Sequence, residues 1–280
     1  MAHPPRKPRA RIKVPVVNRR LRCYRCFRKG PKDETRTVNQ KLHVILLAAF
    51  AGSALHAAQV TNVIDDLTTA QTLRAENATS TNTATAAGAI GGFRTTILNS
   101  AGNNEGEPTG IAVNAGTQRM SLATPEGATS TFQLLWGGAN GTAGLGGVDF
   151  GAGQPLDLFT SVLSFSLRST DQASNFTWTF TDTLGNSASY TGNFTVHSSA
   201  SPPLGYNILL SSFSNSPAVN WNAIDFIAFS GGGVDSLDMS IPAPFAVVAS
   251  TVPEPGTCML FASGLVLAII MVRRQATHRS

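Results

Sequence analysis

Apolar and polar residues alternate along much of the middle of the chain, which is the period of a β-strand with one buried face. In LSFSLRS the apolar positions are Leu163, Phe165 and Leu167, and the segment NFTWTF repeats the pattern. The second segment continues through a Gly-Asn turn into another alternating run, which is typical of a β-hairpin. The alternation therefore predicts β-strands in this part of the chain.

A second group of strands is predicted close to the C-terminal end of this region. Residues 224–229 are almost continuously apolar, a glycine turn follows, and Leu237, Met239 and Ile241 then alternate with polar residues. Short strands at close spacing are typical of two packed antiparallel sheets. We therefore predict that residues 58–251 form an all-β, antiparallel β-sandwich with a jelly-roll-like arrangement.

The segment that precedes this region has the pattern of a secretory signal. Lys41 begins it, a short apolar stretch follows over 42–55, and the small residues Ala57 and Ala58 end it. A positive start, a short apolar core and a small-residue exit define a cleavable signal peptide, and the core is too short to span a bilayer. Residues 41–57 are therefore predicted to be a signal peptide, cleaved next to Ala57 or Ala58.

Residues 1–40 are rich in Arg, Lys and Pro and hold few large apolar side chains, so they cannot bury enough surface to fold alone. Cys23 and Cys26 have the spacing of half a zinc site, but no second pair follows at the usual interval. We predict a disordered basic extension. A nucleic-acid-binding arm is the alternative interpretation of this segment.

Charge is segregated along the chain, so the net charge of +5 describes no single region. Residues 58–252 carry 13 carboxylates against four arginines and no lysine, a net charge of −9. Nucleic-acid binding relies on cations that displace the counterions of phosphates. The predicted sandwich is therefore not expected to bind nucleic acid.

Near the C-terminal end of the sequence, an uncharged run of 15 residues, 258–272, is followed directly by Arg273 and Arg274. A helix over this run spans roughly 22 Å, and flanking side chains extend that reach toward the bilayer thickness. We predict a transmembrane helix over 257–272, and a basic tail over 273–280 that the positive-inside rule keeps in the cytoplasm. The sandwich would then lie outside.

Val252, Pro253, Glu254 and Pro255 stand just before this helix, and the order of motif, apolar helix and arginine pair resembles the PEP-CTERM sorting signal of Gram-negative bacteria. The two prolines also discourage helix and hold the motif extended. The resemblance implies that residues 252–280 are recognised by a membrane-embedded exosortase. It implies delivery, through an inner-membrane intermediate, to the cell surface or an extracellular matrix rich in polysaccharide.

Composition limits the enzymatic chemistry open to residues 58–252. This region has no cysteine and no lysine, and its one histidine is His197, at the end of a predicted strand. A Cys-His pair and a lysine Schiff base are excluded there. Paired carboxylates of a glycoside hydrolase stay open, although none stands in a recognisable motif. We predict that the protein is not an enzyme.

An IDDL start, a glycine-rich middle and the late strand pair AIDFIAFSGGGVDSLDMSI are similar to jelly-roll carbohydrate-binding modules. Trp136 and Trp221, with Trp178 as a further candidate, are predicted to stack on sugars, or else to fill the core. Asp235 and Asp238 are candidate oxygen ligands for calcium, the alternative being turn residues after the glycines. The predicted roles are a structural or glycan-associated matrix protein, a carbohydrate-binding module, or a polysaccharide-acting enzyme.

Overall fold

The computed structural model describes residues 59–102, 106–139, 143–251 and Gly264. The predicted basic extension, signal peptide with Ala57 and Ala58, sorting motif, transmembrane helix (apart from Gly264) and Arg273–Arg274 lie outside these residues. Within the described part of the chain, no helix is long and apolar enough to cross a membrane.

The described residues form fifteen β-strands, and every strand pair is antiparallel. Three short 3-10 helices, Ile90–Gly92, Leu210–Ser212 and Ser216–Ala218, lie in the connections. The strands are β1 Gln59–Asp65, β2 Gln71–Ala75, β3 Thr79–Thr85, β4 Phe93–Gly102, β5 Thr109–Asn114, β6 Arg119–Ala123, β7 Ala128–Trp136, β8 Val162–Leu167, β9 Ser169–Thr170, β10 Ser174–Asp182, β11 Ser187–Phe194, β12 Leu204–Leu209, β13 Ile224–Asp235, β14 Met239–Pro242 and β15 Phe245–Ser250.

The strands belong to three sheets. A six-stranded sheet has the order β11-β10-β13-β7-β4-β3, a four-stranded sheet the order β1-β15-β8-β12, and a five-stranded sheet the order β2-β5-β6-β14-β9. Most neighbours are distant in sequence: β13 pairs with both β10 and β7, for example. The sheets are therefore held together by long-range pairing.

An aromatic core lies between the six-stranded and four-stranded sheets. The ring of Phe165, on β8, lies 5.8 Å from that of Trp178 on β10 and 5.9 Å from that of Phe229 on β13. Phe245, on β15, meets Trp136, on β7, edge to face at 6.0 Å. Offset and edge-to-face ring pairs add to the free energy of burial. This packing confirms the predicted all-β sandwich architecture of antiparallel sheets.

Alternation in the sequence explains which side of each strand is buried. Along β10, burial alternates strictly from Ser174 to Asp182, so that Phe176, Trp178 and Phe180 all face the core. Neighbouring side chains of a strand point to opposite faces, and burial of the aromatic set fixes the register. The polar residues between them are consequently left on the outer face of the six-stranded sheet.

The five-stranded sheet is joined to the six-stranded sheet through a buried polar network. Arg94, on β4, donates from Nη1 to both carboxylate oxygens of Asp65, from Nε to Gln71, on β2, and from Nη2 to the carbonyl of Thr69. The indole N–H of Trp136 donates to Asp65 Oδ2 at 2.9 Å. The charged groups are therefore paired and hydrogen-bonded, as burial demands.

Candidate functional site

A groove of about 350 Å³ crosses the outer face of the six-stranded sheet, and we call it the sheet groove. The side chains of Gln133, Asn175 and Ser230 lie on the face opposite the aromatic core, since each of these residues is next along its strand to buried Phe132, Phe176 or Phe229. Strands β4, β7, β13 and β10 contribute to the groove. Its lining residues are Ile97, Asn99, Thr131, Phe132, Gln133, Asn175, Thr177, Ser230, Gly231 and Gly232.

Strand register arranges these residues in two rows that run across the strands. One row is Ile97, Gln133, Ser230 and Thr177, and the other is Asn99, Thr131, Gly232 and Asn175. Adjacent strands lie about 4.8 Å apart, so each row spans about 14 Å from β4 to β10. The sheet groove is thus an elongated track whose long axis is perpendicular to the strands.

Glycines keep one strip of this track free of side chains. Gly232 has φ of +104°, and a Cβ built on it would lie 2.2 Å from the carbonyl oxygen of Ser130. Pairing of β13 with β7 is irregular between Gly232 and Asp235, as in a β-bulge. Glycine is required here by its positive φ and by the close backbone of β7.

The chemistry of the sheet groove is that of uncharged amides and hydroxyls. None of the described residues that line it is charged. The amides of Gln133 and Asn175 make no hydrogen bond to any other described residue, whereas Asn99 accepts one from Thr79. A side-chain amide offers both a donor and an acceptor, and a hydroxyl does the same. The groove therefore presents hydrogen-bond donors and acceptors but no charge.

The tryptophans predicted to stack on sugars are core residues in the structure. Trp136 is 0% exposed and its ring stacks on that of Trp178, also 0% exposed, with centroids 5.9 Å apart. Trp221 is 4% exposed, packs 5.2 Å from Phe180 and donates its N–H to the carbonyl of Ser216. No indole face is open to a ligand, so the structure assigns all three to packing.

The two aspartates named as calcium candidates are exposed and do not form a metal-binding cluster. Asp238 Oδ1 accepts from the backbone N–H of Thr124 at 3.1 Å, and its own N–H donates to Asp171 Oδ1 at 2.8 Å. Asp235 lies at the irregular end of β13, opposite Thr129. Within the described ranges, no three His, Cys, Asp or Glu side chains are grouped to hold a metal ion. The hydrogen bonds of Asp238 instead connect its own strand end to the segments that contain Thr124 and Asp171.

A second cavity, of about 580 Å³, lies beside β9 and β14 and includes Asp171, His197 and Asp238. The imidazole Nε2 of His197 is 2.9 Å from the carbonyl oxygen of Pro202, and its backbone pairs with Thr170. The two aspartates are tied to backbone N–H groups, as described above. Among the described residues, no hydroxyl is hydrogen-bonded to this imidazole, so they do not show the geometry of a nucleophile-base pair.

The carboxyl of Asp182, at the β10–β11 turn and away from the sheet groove, has a shifted pKa. Burial pushes the pKa of Asp182 upward, but hydrogen bonds from the backbone of Asn220 and from the side chain and backbone of Asn186 outweigh it, together with the backbone N–H of Leu184. The pKa of Asp182 lies below its ordinary value of 3.8 as a result. Asp182 is thus a structural anion that stabilises the turn.

The residues of the sheet groove were not predicted from the sequence, because the candidates for sugar and calcium binding were aromatic and acidic residues. The available signal was the polar half of each alternating strand: Gln133 stands between Phe132 and Leu134, and Asn175 next to Phe176. Such positions show which side chains face outward, but not which outward faces are neighbours. The order of the strands within the six-stranded sheet determines which outward faces are neighbours.

No family model matches the chain, and no curated protein matches it. Among solved structures, it is similar to the family 11 carbohydrate-binding module of the cellulosomal cellulase Lic26A-Cel5E of Clostridium thermocellum, at 12% identity and a TM-score of 0.34, over 71% of this chain and 99% of that chain. It is also similar to an agarase, AgWH50C, at 10% identity and a TM-score of 0.35, over 56% of this chain and 23% of that chain. Similarity at this level assigns no ligand to this chain.

Proposed function

We propose that this chain is an exported surface or extracellular-matrix protein whose sandwich binds a neutral polysaccharide in the sheet groove. The observation that carries the proposal is the lining of that groove by amides and hydroxyls without a charged group, with the side-chain amides of Gln133 and Asn175 free of hydrogen bonds to other described residues. Sugar hydroxyls donate and accept hydrogen bonds, and amide side chains match both roles. Half-buried Ile97 and the half-buried Gly231 and Gly232 supply apolar contact for the faces of the sugar rings.

Charge supports a neutral ligand over an anionic one. The region 58–252 has a net charge of −9, and its four arginines include Arg94, which is buried in the ion pair with Asp65. An anionic polysaccharide would approach a like-charged surface with no cation in the groove to receive it. A neutral glycan avoids this repulsion, and its binding should depend little on salt.

Delivery to the surface is the second part of the proposal, and it is supported by sequence signals. Residues 41–57 have the pattern of a signal peptide, and residues 252–280 resemble a PEP-CTERM sorting signal. The partner in sorting is then an exosortase, which acts at Val252–Pro255 while the helix over 257–272 holds the chain in the inner membrane. The sandwich would be placed where extracellular polysaccharide is found.

A binding role fits the groove better than hydrolysis. Glycoside hydrolysis needs two carboxyl groups that flank the bond to be cleaved. The described lining of the sheet groove contains no Asp or Glu. We therefore propose that the protein holds a glycan without cleaving it, which an assay for released reducing sugar on the same polysaccharides would check.

The test is binding of the purified full chain, in detergent, to an array of neutral polysaccharides that includes mixed-linkage β-glucan and agarose, with alginate as the anionic comparison. Gln133→Ala and Asn175→Ala should each weaken binding by about tenfold. Asn207→Ala is the matched control, since Asn207 is an exposed strand residue on the four-stranded sheet. An array without any bound neutral glycan, or equal binding by all variants, overturns the proposal.

A further inference from the structure

Strand β12 is an edge of the four-stranded sheet, with β8 on one side and no described strand on the other. It pairs with β8 over its full length without a register shift, and Leu210 N–H, in the same register, donates to the carbonyl of Ser161. Backbone groups along an antiparallel strand point alternately to its two sides, so the even-numbered residues of β12 bond to β8. The backbone N–H and C=O groups of Gly205, Asn207 and Leu209 therefore point to the open side.

Most of these outward backbone groups have no partner in the described part of the chain. Gly205 and Asn207 are exposed, and no described residue bonds to their outward N–H and C=O groups. The carbonyl of Leu209 accepts a hydrogen bond from the hydroxyl of Ser212, and its second lone pair is left over. A strand edge with free donors and acceptors is a template for pairing with a further strand.

Proteins usually protect such an edge with lysine, proline, a bulge or a covering segment. Two other edge strands are covered in part, since Thr170 of β9 bridges to His197 and Ser189 of β11 bridges to Ser214. Strand β12 contains no charged residue, no proline and no bulge. The whole segment 183–224 lacks Asp, Glu, Lys and Arg, although the sandwich is strongly acidic. Two acidic sandwiches can therefore meet along β12 without bringing carboxylates of this segment together.

The sequence of β12 is also matched to a second copy of itself. Residues directly opposite each other in an antiparallel pair lie on the same face of the sheet. With a two-fold axis at Asn207, Leu209 of one copy lies opposite Gly205 of the other, and Tyr206 lies opposite Ile208. A Cβ built on Gly205 meets no atom within 4 Å, and Leu209 is 43% exposed. The open space over the glycine therefore accepts the leucine of the second copy.

We propose that the protein forms a two-fold symmetric dimer by antiparallel pairing of β12 with β12 of a second copy. At the axis, the backbone N–H of each Asn207 donates to the carbonyl of the other Asn207, and Gly205 and Leu209 exchange hydrogen bonds on both sides of it. The two four-stranded sheets then form one continuous sheet. This dimer does not depend on glycan binding, but it would present two sheet grooves to one polysaccharide and so strengthen its retention.

The first experiment measures the association of the purified full chain, in detergent, by analytical ultracentrifugation from about 1 to about 100 µM. A single strand pair is a small interface, so the dimer should form and dissociate within this range of concentration. A protein that stays monomeric at every concentration overturns the inference. An assembly larger than a dimer also overturns it, because edge pairing about a two-fold axis closes at two copies.

The second experiment removes the N–H at the axis. Asn207→Pro deletes an N–H group that points away from β8, which is where an edge strand tolerates proline. Both central hydrogen bonds are lost, so the dissociation constant of the dimer should rise by at least about tenfold. Asn207→Ala is the matched control, since it removes the same side chain but keeps the N–H, and it should dimerise as the wild type does. Equal dimerisation by the two variants overturns the inference.

A proline at Leu209 tests the same edge at a position where the backbone already suits it. Leu209 has φ of −60° and ψ of 135°, and proline requires a φ near −65°. Leu209→Pro should dimerise about tenfold more weakly than Leu209→Ala, which keeps the N–H that bonds to Gly205 of the second copy. Thermal melting followed by circular dichroism shows that each variant is folded. If neither proline weakens the dimer, the two copies meet elsewhere and the inference fails.

Discussion

Arg94 Nη1 lies 2.9 Å from Asp65 Oδ2, and the two side chains are 0% and 1% exposed. The pair joins β4 of the six-stranded sheet to β1 of the four-stranded sheet, and Trp136 and Gln71 complete its hydrogen bonds. A charge buried in this way is stable only while its partner is present. The pair consequently couples the layers of the sandwich at the centre of a buried polar network.

Removal of the Arg94 guanidinium should therefore lower the free energy of unfolding of the sandwich. Arg94→Met leaves the buried carboxylate of Asp65 without its partner, and we expect a loss of about 3–5 kcal/mol in the free energy of unfolding. Urea denaturation of the purified protein measures it. Arg119→Met, an exposed position on β6, is the control and should change stability by less than about 0.5 kcal/mol. Equal midpoints for the two variants would contradict the structural role given to the pair.

Stability should also fall in acid because of Asp182. Its folded-state pKa is lowered, so the unfolded chain takes up the proton first and the contribution of the carboxylate is full only above its unfolded pKa, about 4. That contribution is lost as the pH falls from about 4 through the folded pKa. Asp182→Asn should be less stable than wild type at neutral pH and should lose less stability on acidification.

The measurement for Asp182 is the urea midpoint at several pH values from neutral to strongly acidic. Asp235→Asn serves as the comparison, because Asp235 is exposed and its carboxylate makes no hydrogen bond to another described residue. This variant should follow the wild-type profile. An Asp182→Asn profile as steep as that of wild type would show that other carboxyl groups cause the acid sensitivity.

The glycine bulge in β13 offers a test of backbone geometry. Gly232→Ala places a Cβ against the carbonyl of Ser130 at a φ of +104°, so we expect a loss of about 2 kcal/mol, seen as a lower melting temperature. Gly205→Ala is the control, since a Cβ on Gly205 meets no atom within 4 Å. A melting temperature for Gly232→Ala at or above that of Gly205→Ala would mean that the bulge adjusts without cost.

The proposed sorting signal is tested by its motif. Replacement of Pro253, Glu254 and Pro255 by alanine should keep the membrane anchor but block processing, so that uncleaved protein accumulates in the inner membrane. Immunoblots of membrane and surface fractions compare wild type, this variant and a strain without exosortase, with Thr257→Ala as a control that should be processed normally. If the protein has the same size and location in every strain, residues 252–280 are only a permanent membrane anchor and the sorting proposal is wrong.

The sequence by itself determined the class of fold in this protein. Period-two alternation in segments such as LSFSLRS and NFTWTF places alternate side chains on opposite faces, and burial of the apolar set follows from that geometry alone. For that reason the antiparallel strands and the core positions Phe165 and Phe180 were predictable. The predicted signal and sorting segments also rest on sequence pattern, and they lie outside the described residues.

Tertiary structure decided which residues are neighbours. The sequence leaves Trp136 as a residue that stacks on a sugar or fills the core. In the structure, β7 lies in the middle of the six-stranded sheet, and Trp136 packs edge to face against Phe245 of the opposite sheet. Gln133 and Asn175 line one groove only because β13 lies between β7 and β10. Local alternation fixes the face on which a side chain lies, whereas the order of strands depends on long-range packing that no short segment encodes.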